Sequence, residues 1–199
     1  ETGGALPAHG LAAASGLSWP RKISEVKELC HRYSGLYATA CWGELVHLLV
    51  EETGADPHQT FSNCDSADIP RARWNCYRHG IGILAAEPRF AFKFQHAQSI
   101  CQTLGQPAPV TQRECYAHLV EAIISAVPQE ATHIAESCAN IKTDFQVPCY
   151  AMLRSSLQAL RLYSDAKMQE ICSRIPSSSL RTLCQTASDP NFVAHIDTY

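Results

Sequence analysis

Ten cysteines carry the most reactive chemistry in this chain, and their order limits what that chemistry is. They are Cys30, Cys41, Cys64, Cys76, Cys101, Cys115, Cys138, Cys149, Cys172 and Cys184. Taken alternately, one set advances in steps of 34, 37, 37 and 34 residues and the interleaved set in steps of 35, 39, 34 and 35. An even number at regular spacing predicts a disulfide framework formed in an oxidising compartment. Buried free thiols would act as small hydrophobes and have no reason to recur as doublets. Zinc is disfavoured because no C-x2-C or C-x4-C pair exists, and gaps of 10–13 residues are not the ligand spacings of a finger. Once oxidised, none of the ten is a thiolate nucleophile.

Histidines supply the other candidates. The position three residues after the second cysteine of each doublet holds Glu44, His79, His118 and Met152 in turn. His79 lies in the string Cys76-Tyr77-Arg78-His79-Gly80-Ile81-Gly82, whose two glycines would each cost about 1 kcal/mol inside a helix. Close helix packing accounts for them best, since Gly80 replaces a core leucine of the other units. Admission of a ligand beside His79 is the alternative. His79, Gly80, Gly82 and His118 are therefore the candidate ligand-binding residues. No metal site is expected, because equivalent histidines roughly 10 Å apart in a helix stack cannot share one zinc. His47, His58, His96 and His133 show no His-x3-His pair and no acidic partner at useful spacing. Glu51, Glu52 and Glu121 fall on faces expected to be solvated. There is no G-x-S-x-G elbow, H-E-x-x-H or Walker loop. Neither catalytic residues nor a cofactor are expected.

What positions the cysteines is a repeat. A period of 34–39 residues marks an array of small supersecondary units. Each unit resolves into two helices. Caps or first-turn prolines precede the first helix at Ser18-Trp19-Pro20, Asp56-Pro57, Glu87-Pro88, Val127-Pro128 and Ser164-Asp165. Apolar residues then recur at helical spacing up to the cysteine, as in Phe90, Phe94, Ala97 and Ile100. The second unit has Phe61 almost alone, so its first helix is expected to be short. Breaks follow at Gly35, Asp68-Ile69-Pro70, Gly105 with Pro107 and Pro109, Lys142–Asp144 and Pro176-Ser177-Ser178. Thr111 to Glu114 matches a capping box before Cys115. Asp189-Pro190-Asn191-Phe192 echoes Asp56-Pro57 and hints at one more helix.

The second helix runs on from its cysteine. Trp42, Tyr77, Tyr116 and Tyr150 each follow that cysteine directly. At 100° per residue, the cysteine and the positions four and seven or eight later face the partner helix, which picks out Leu45, Leu48, Leu49, Ile83, Leu84, Leu119, Ala122, Ile123, Leu153 and Leu157. The aromatic lies about 100° round, best placed to pack as core on an adjacent unit rather than to form a ligand-facing stripe. A separation of 10–13 residues around one bend favours local bonds: Cys30–Cys41, Cys64–Cys76, Cys101–Cys115, Cys138–Cys149 and Cys172–Cys184. Bonds between units would orphan Cys30 and Cys184.

Size and charge narrow the function. With 199 residues the chain can bury a sizeable core without needing disulfides for that reason alone. A formal net charge of −3 argues against nucleic acid or an anionic membrane surface as partner. No apolar run approaches 18 residues, so no direct membrane insertion is expected. Residues 1–17 read as a flexible lead-in, with Glu1-Thr2-Gly3 left by a secretion vector whose own signal replaced the original. Residues 18–199 form the disulfide-rich helical-repeat domain. No Asn-x-Ser/Thr acceptor is present, so N-glycans are not expected.

The fold expected is all-α, a solenoid of about five antiparallel helical hairpins, each stapled by a disulfide. In repeat length and helix order it resembles tetratricopeptide arrays. The Trp, Gly, Tyr, Ala and Pro of that family's pattern are absent, and no binding residue is carried over. An extended helical surface suits a protein or peptide partner. The expected function is an extracellular or cell-surface interaction module: a ligand, co-receptor or adaptor. It would be secreted or on the outer face of a membrane protein, with the ER lumen and bacterial periplasm also oxidising. The alternative is a small-ligand or metal carrier with a pocket near His79. A hydrolase or transferase ranks last for want of any catalytic constellation.

Overall fold

The computed structural model describes residues 23–104 and 111–187, all of them in helices, turns and loops with no strand. The lead-in, the Ser18-Trp19-Pro20 cap, the Gly105–Pro109 break and the Asp189–Phe192 echo lie outside these residues. The chain divides between Ile83 and Leu84 into two compact units.

The first unit contains α1 (Ile23–His31), α2 (Gly35–Glu52), α3 (Pro57–Cys64) and α4 (Pro70–Ala86) through Ile83. Local chemistry sets the starts. Asp56 caps α3 by accepting from the Gln59 N–H at 2.8 Å, with Pro57 in the first turn. Gly35 opens α2 at φ +54°, a conformation glycine adopts without strain. As expected, α3 has only eight residues, and it buries Thr60, Phe61 and Cys64. Helix α1 packs on α2, and α2 on α3.

The second unit contains α5 (Phe94–Gln102), α6 (Gln112–Ala126), a 3-10 turn (Pro128–Glu130), α7 (Ala131–Cys138), α8 (Thr143–Ala159), α9 (Asp165–Cys172) and α10 (Ser178–Thr186). The capping box is present: the Glu114 N–H donates to the Thr111 hydroxyl, and the Thr111 N–H donates to the Glu114 carboxylate. Ser164 caps α9 by accepting from the Lys167 N–H. Successive helices pair, α5 on α6, α7 on α8 and α9 on α10. First helices also touch across pairs (α5 on α7, α7 on α9), as do second helices (α6 on α8, α8 on α10).

Every cysteine is bonded, and each bond joins a helix to the next one: Cys30–Cys41, Cys64–Cys76, Cys101–Cys115, Cys138–Cys149 and Cys172–Cys184. A helix ends at or within a residue of the first cysteine, and the second lies inside the next helix. All ten are buried. The positions four and eight past the second cysteine are core, as Leu45, Leu49, Leu84, Leu119, Ile123, Leu153 and Leu157 show, whereas Leu48, Ile83 and Ala122, seven past it, are only half-buried.

One expectation needs correction. Helix α5 starts at Phe94, not after Pro88. Residues 87–93 instead form turns in which Ala91 and Phe92 take left-handed φ of 47° and 54°, closed by the Phe92 N–H donating to the Ala85 carbonyl at 2.8 Å. Phe90 remains buried, but from a turn. Pro148 sits inside α8, where its ring removes one backbone donor yet does not end the helix. Trp42, Tyr77, Tyr116 and Tyr150 are buried as core, and each meets a residue of the first helix of its own pair. Tyr77 stacks on Phe61 at 4.9 Å and donates to Asp65, Tyr150 donates to the Ala135 carbonyl, and Trp42 meets the edge of His31. Tyr116 contacts Phe94 of its own pair and also Phe145 of the next.

Candidate functional site

His79, Gly80 and Gly82 lie on α4, and His118 lies on α6. His79 is exposed, Gly82 half-buried and Gly80 buried. A Cβ added at Gly80 would stand 3.1 Å from Val46 Cγ2 and 3.3 Å from Phe61 Cε1, so that face is filled by packing. A second close approach, not anticipated, occurs at Gly43 of α2. Its Cβ would meet Asn75 Nδ2 at 2.4 Å and His79 Cε1 at 3.5 Å, while Asn75 donates to the Thr39 carbonyl. His118 is buried with Nδ1 3.2 Å from Glu121 Oε2. Glu121 is therefore not on a fully solvated face: its side chain is 28% exposed beside that imidazole. Among the described residues, no group of three or more His, Cys, Asp or Glu could hold a metal ion. No described helix is long and apolar enough to cross a membrane.

The connections between paired helices reveal a site that the cysteine rhythm did not announce. Three of them are clamped by the residue three before the second cysteine. Arg73 donates twice to the Ala67 carbonyl, Gln146 donates to the Ala139 and Ile141 carbonyls, and Arg181 donates to the Ile175 and Pro176 carbonyls. The residue three after the first cysteine plugs the core in three pairs, as Ala67, Leu104 and Ile175.

The first pair breaks both rules. Ala38 stands at the clamp position and has no side-chain donor, and Tyr33 stands at the plug position yet is 40% exposed. Beyond it, Leu36 is 67% and Tyr37 78% exposed, with the two tyrosine rings 6.5 Å apart. An apolar cluster is thus held open to solvent at the first connection and the first turn of α2, within the loop that the Cys30–Cys41 bond closes. A surface built this way can grip apolar side chains, since Tyr and Leu offer area with little conformational entropy to lose.

A cleft of about 250 Å³ opens on the second unit between the start of α5 and the start of α7. Glu130, whose side chain is 6% exposed, pairs with Lys93 through Oε1 and lies 3.4 Å from His133 Nδ1 through Oε2. His133 therefore does have an acidic partner, three residues earlier on the same turn of chain. Lys93 and Glu130 each stand eight residues before the first cysteine of their pair. Aligning the units on their cysteines would have shown these opposite charges one period apart. It would equally have shown the clamp residues at Arg73, Gln146 and Arg181.

Comparison with protein-family models, curated proteins and solved structures finds no match to this chain.

Proposed function

We propose that the chain is an extracellular or cell-surface protein-interaction module without catalysis, and that its partner docks on Tyr33, Leu36 and Tyr37. The observation that carries the reading is the exposure of these three apolar side chains at the first connection and the adjoining first turn of α2, where, among the described residues, both the clamp and the plug are missing. Five disulfides favour an oxidising compartment such as the secretory route. A solenoid of disulfide-latched hairpins is supported by side-chain contacts one period apart: Lys27 with Asn63, His31 with Asp68 and Asn75 with Thr39 in the first unit, and Lys93 with Glu130 in the second.

The patch also bears on the size of the partner. With a buried tyrosine worth roughly 150–250 Å², the exposed parts of the three side chains sum to roughly 350 Å². That is about half the 800 Å² or so that each partner gives to a standard interface. A short segment of another protein fits this area better than a second copy of the chain.

The experiment compares wild type with the triple variant Tyr33→Ser, Leu36→Ser, Tyr37→Ser against a panel of secreted and cell-surface proteins. Anchor side chains of this kind are worth about 1–2 kcal/mol each. A specific partner should therefore bind wild type and lose at least 100-fold on the variant. A partner that binds both equally well, with both folded, overturns the assignment.

A further inference from the structure

The cleft on the second unit is separate chemistry and does not depend on the interaction reading. Glu130 is an acceptor: Oε1 takes a hydrogen bond from Lys93, and Oε2 lies 3.4 Å from His133 Nδ1. The groups left to meet an entering ligand are of the opposite kind. Lys93 is half-exposed and has three N–H bonds, of which Glu130 uses one. His133 is 56% exposed, with Nδ1 on the Glu130 side. His96, Gln95 and Phe94 complete the lining, most of whose exposed surface is carbon.

We propose that this cleft binds a small oxyanion, a phosphate, sulfate or carboxylate group, with Lys93 as the charged anchor and His96 and His133 as further donors. Its volume of about 250 Å³ lies below that of sites for drug-sized ligands, which fits a head group rather than a large cofactor. Glu130 holds Lys93 and His133 in place from beneath. The Lys93 and Glu130 charges offset one another, and the imidazole N–H groups of His96 and His133 supply further donors.

The test is titration of the intact chain with sodium phosphate, sulfate and acetate separately, at constant ionic strength, followed by NMR of the histidine rings and backbone amides. At least one anion should give saturable shifts centred on residues 93–96 and 130–133, and the one that binds tightest identifies the head group. The exposed pair His96→Ala and His133→Ala should keep the fold and weaken that binding at least fivefold. Shifts that never saturate, that spread over the basic side chains at large, or that survive unchanged in the double variant would overturn the proposal.

Discussion

Removing the Cys30–Cys41 bond should release α1 and leave the rest folded. Helix α1 has nine residues and buries only Cys30. An isolated helix of that length does not hold in water, because nucleation is costly and few bonds follow it. Its other ties include the edge contact of His31 with Trp42, Lys27 to Asn63 at 2.6 Å and His31 to Asp68 at 2.7 Å, the last with Asp68 82% exposed. Exposed pairs of this kind contribute about 0–1 kcal/mol. The disulfide closes a loop of 11 residues, for which the chain-entropy relation gives about 3 kcal/mol. Since 1.4 kcal/mol is a factor of ten, amides of residues 23–31 in Cys30→Ser/Cys41→Ser should exchange about 100-fold faster. Hydrogen exchange read by mass spectrometry measures this peptide by peptide. Residues 131–159 should be unaffected, whereas Cys138→Ser/Cys149→Ser strikes α7 and α8, where five and nine residues are buried. Unchanged exchange in α1, or equal acceleration everywhere in the first variant, would refute the reasoning.

Other outcomes follow from packing and ionisation. Gly80→Leu restores the residue type of other units but drives a side chain into Val46 and into Phe61, itself stacked on Tyr77, and should cost about 2–3 kcal/mol in denaturant unfolding. Arg161 sits left-handed at φ 58° past the end of α8, where the Leu162 N–H reaches the Leu157 carbonyl and the Arg161 N–H the Gln158 carbonyl. Glycine is the usual residue there, so Arg161→Gly should stabilise by about 1 kcal/mol and raise the Tm. Burial pushes the Tyr150 phenol up to about 12, and it also raises Tyr77, helped by the bond to Asp65, and Tyr116. An unfolded tyrosine ionises near 10, so between about 10 and 12 the unfolded chain binds fewer protons than the folded one. The stability from these phenols is whole below about pH 10 and is lost above it, by up to about 1.4 kcal/mol per pH unit for each tyrosine. Tyr150→Phe should flatten its share of that alkaline slope, and an unaltered slope would count against the burial argument.

Much of the fold was legible because its signals are local. Asp56-Pro57, Ser164 and the Thr111–Glu114 box are caps that need only neighbouring residues, and each does cap its helix. Cysteines on either side of a single bend likewise had few partners within reach. What escaped needed information from elsewhere in the chain. Glu87-Pro88 has the form of a helix start, but the backbone first passes through two left-handed residues and begins the helix at Phe94. Among the candidate site residues, Gly80 proved to be a packing contact, and His118 is buried beside Glu121. The exposed Tyr33, Leu36 and Tyr37 could be singled out only by contrast with the plugged and clamped connections of other pairs. The Lys93–Glu130 pair was hidden by reading each unit alone rather than one beneath another.

The account rests on each helix pair being closed by its own covalent bond, since that is what holds α1, the first connection and the exposed tyrosines in place. Digestion without reduction, followed by mass spectrometry of the linked peptides, measures this directly. It should recover Cys30 with Cys41, Cys64 with Cys76, Cys101 with Cys115, Cys138 with Cys149 and Cys172 with Cys184, and no alkylatable thiol. Recovery of Cys41 with Cys64, or of any free cysteine in the folded protein, would contradict it.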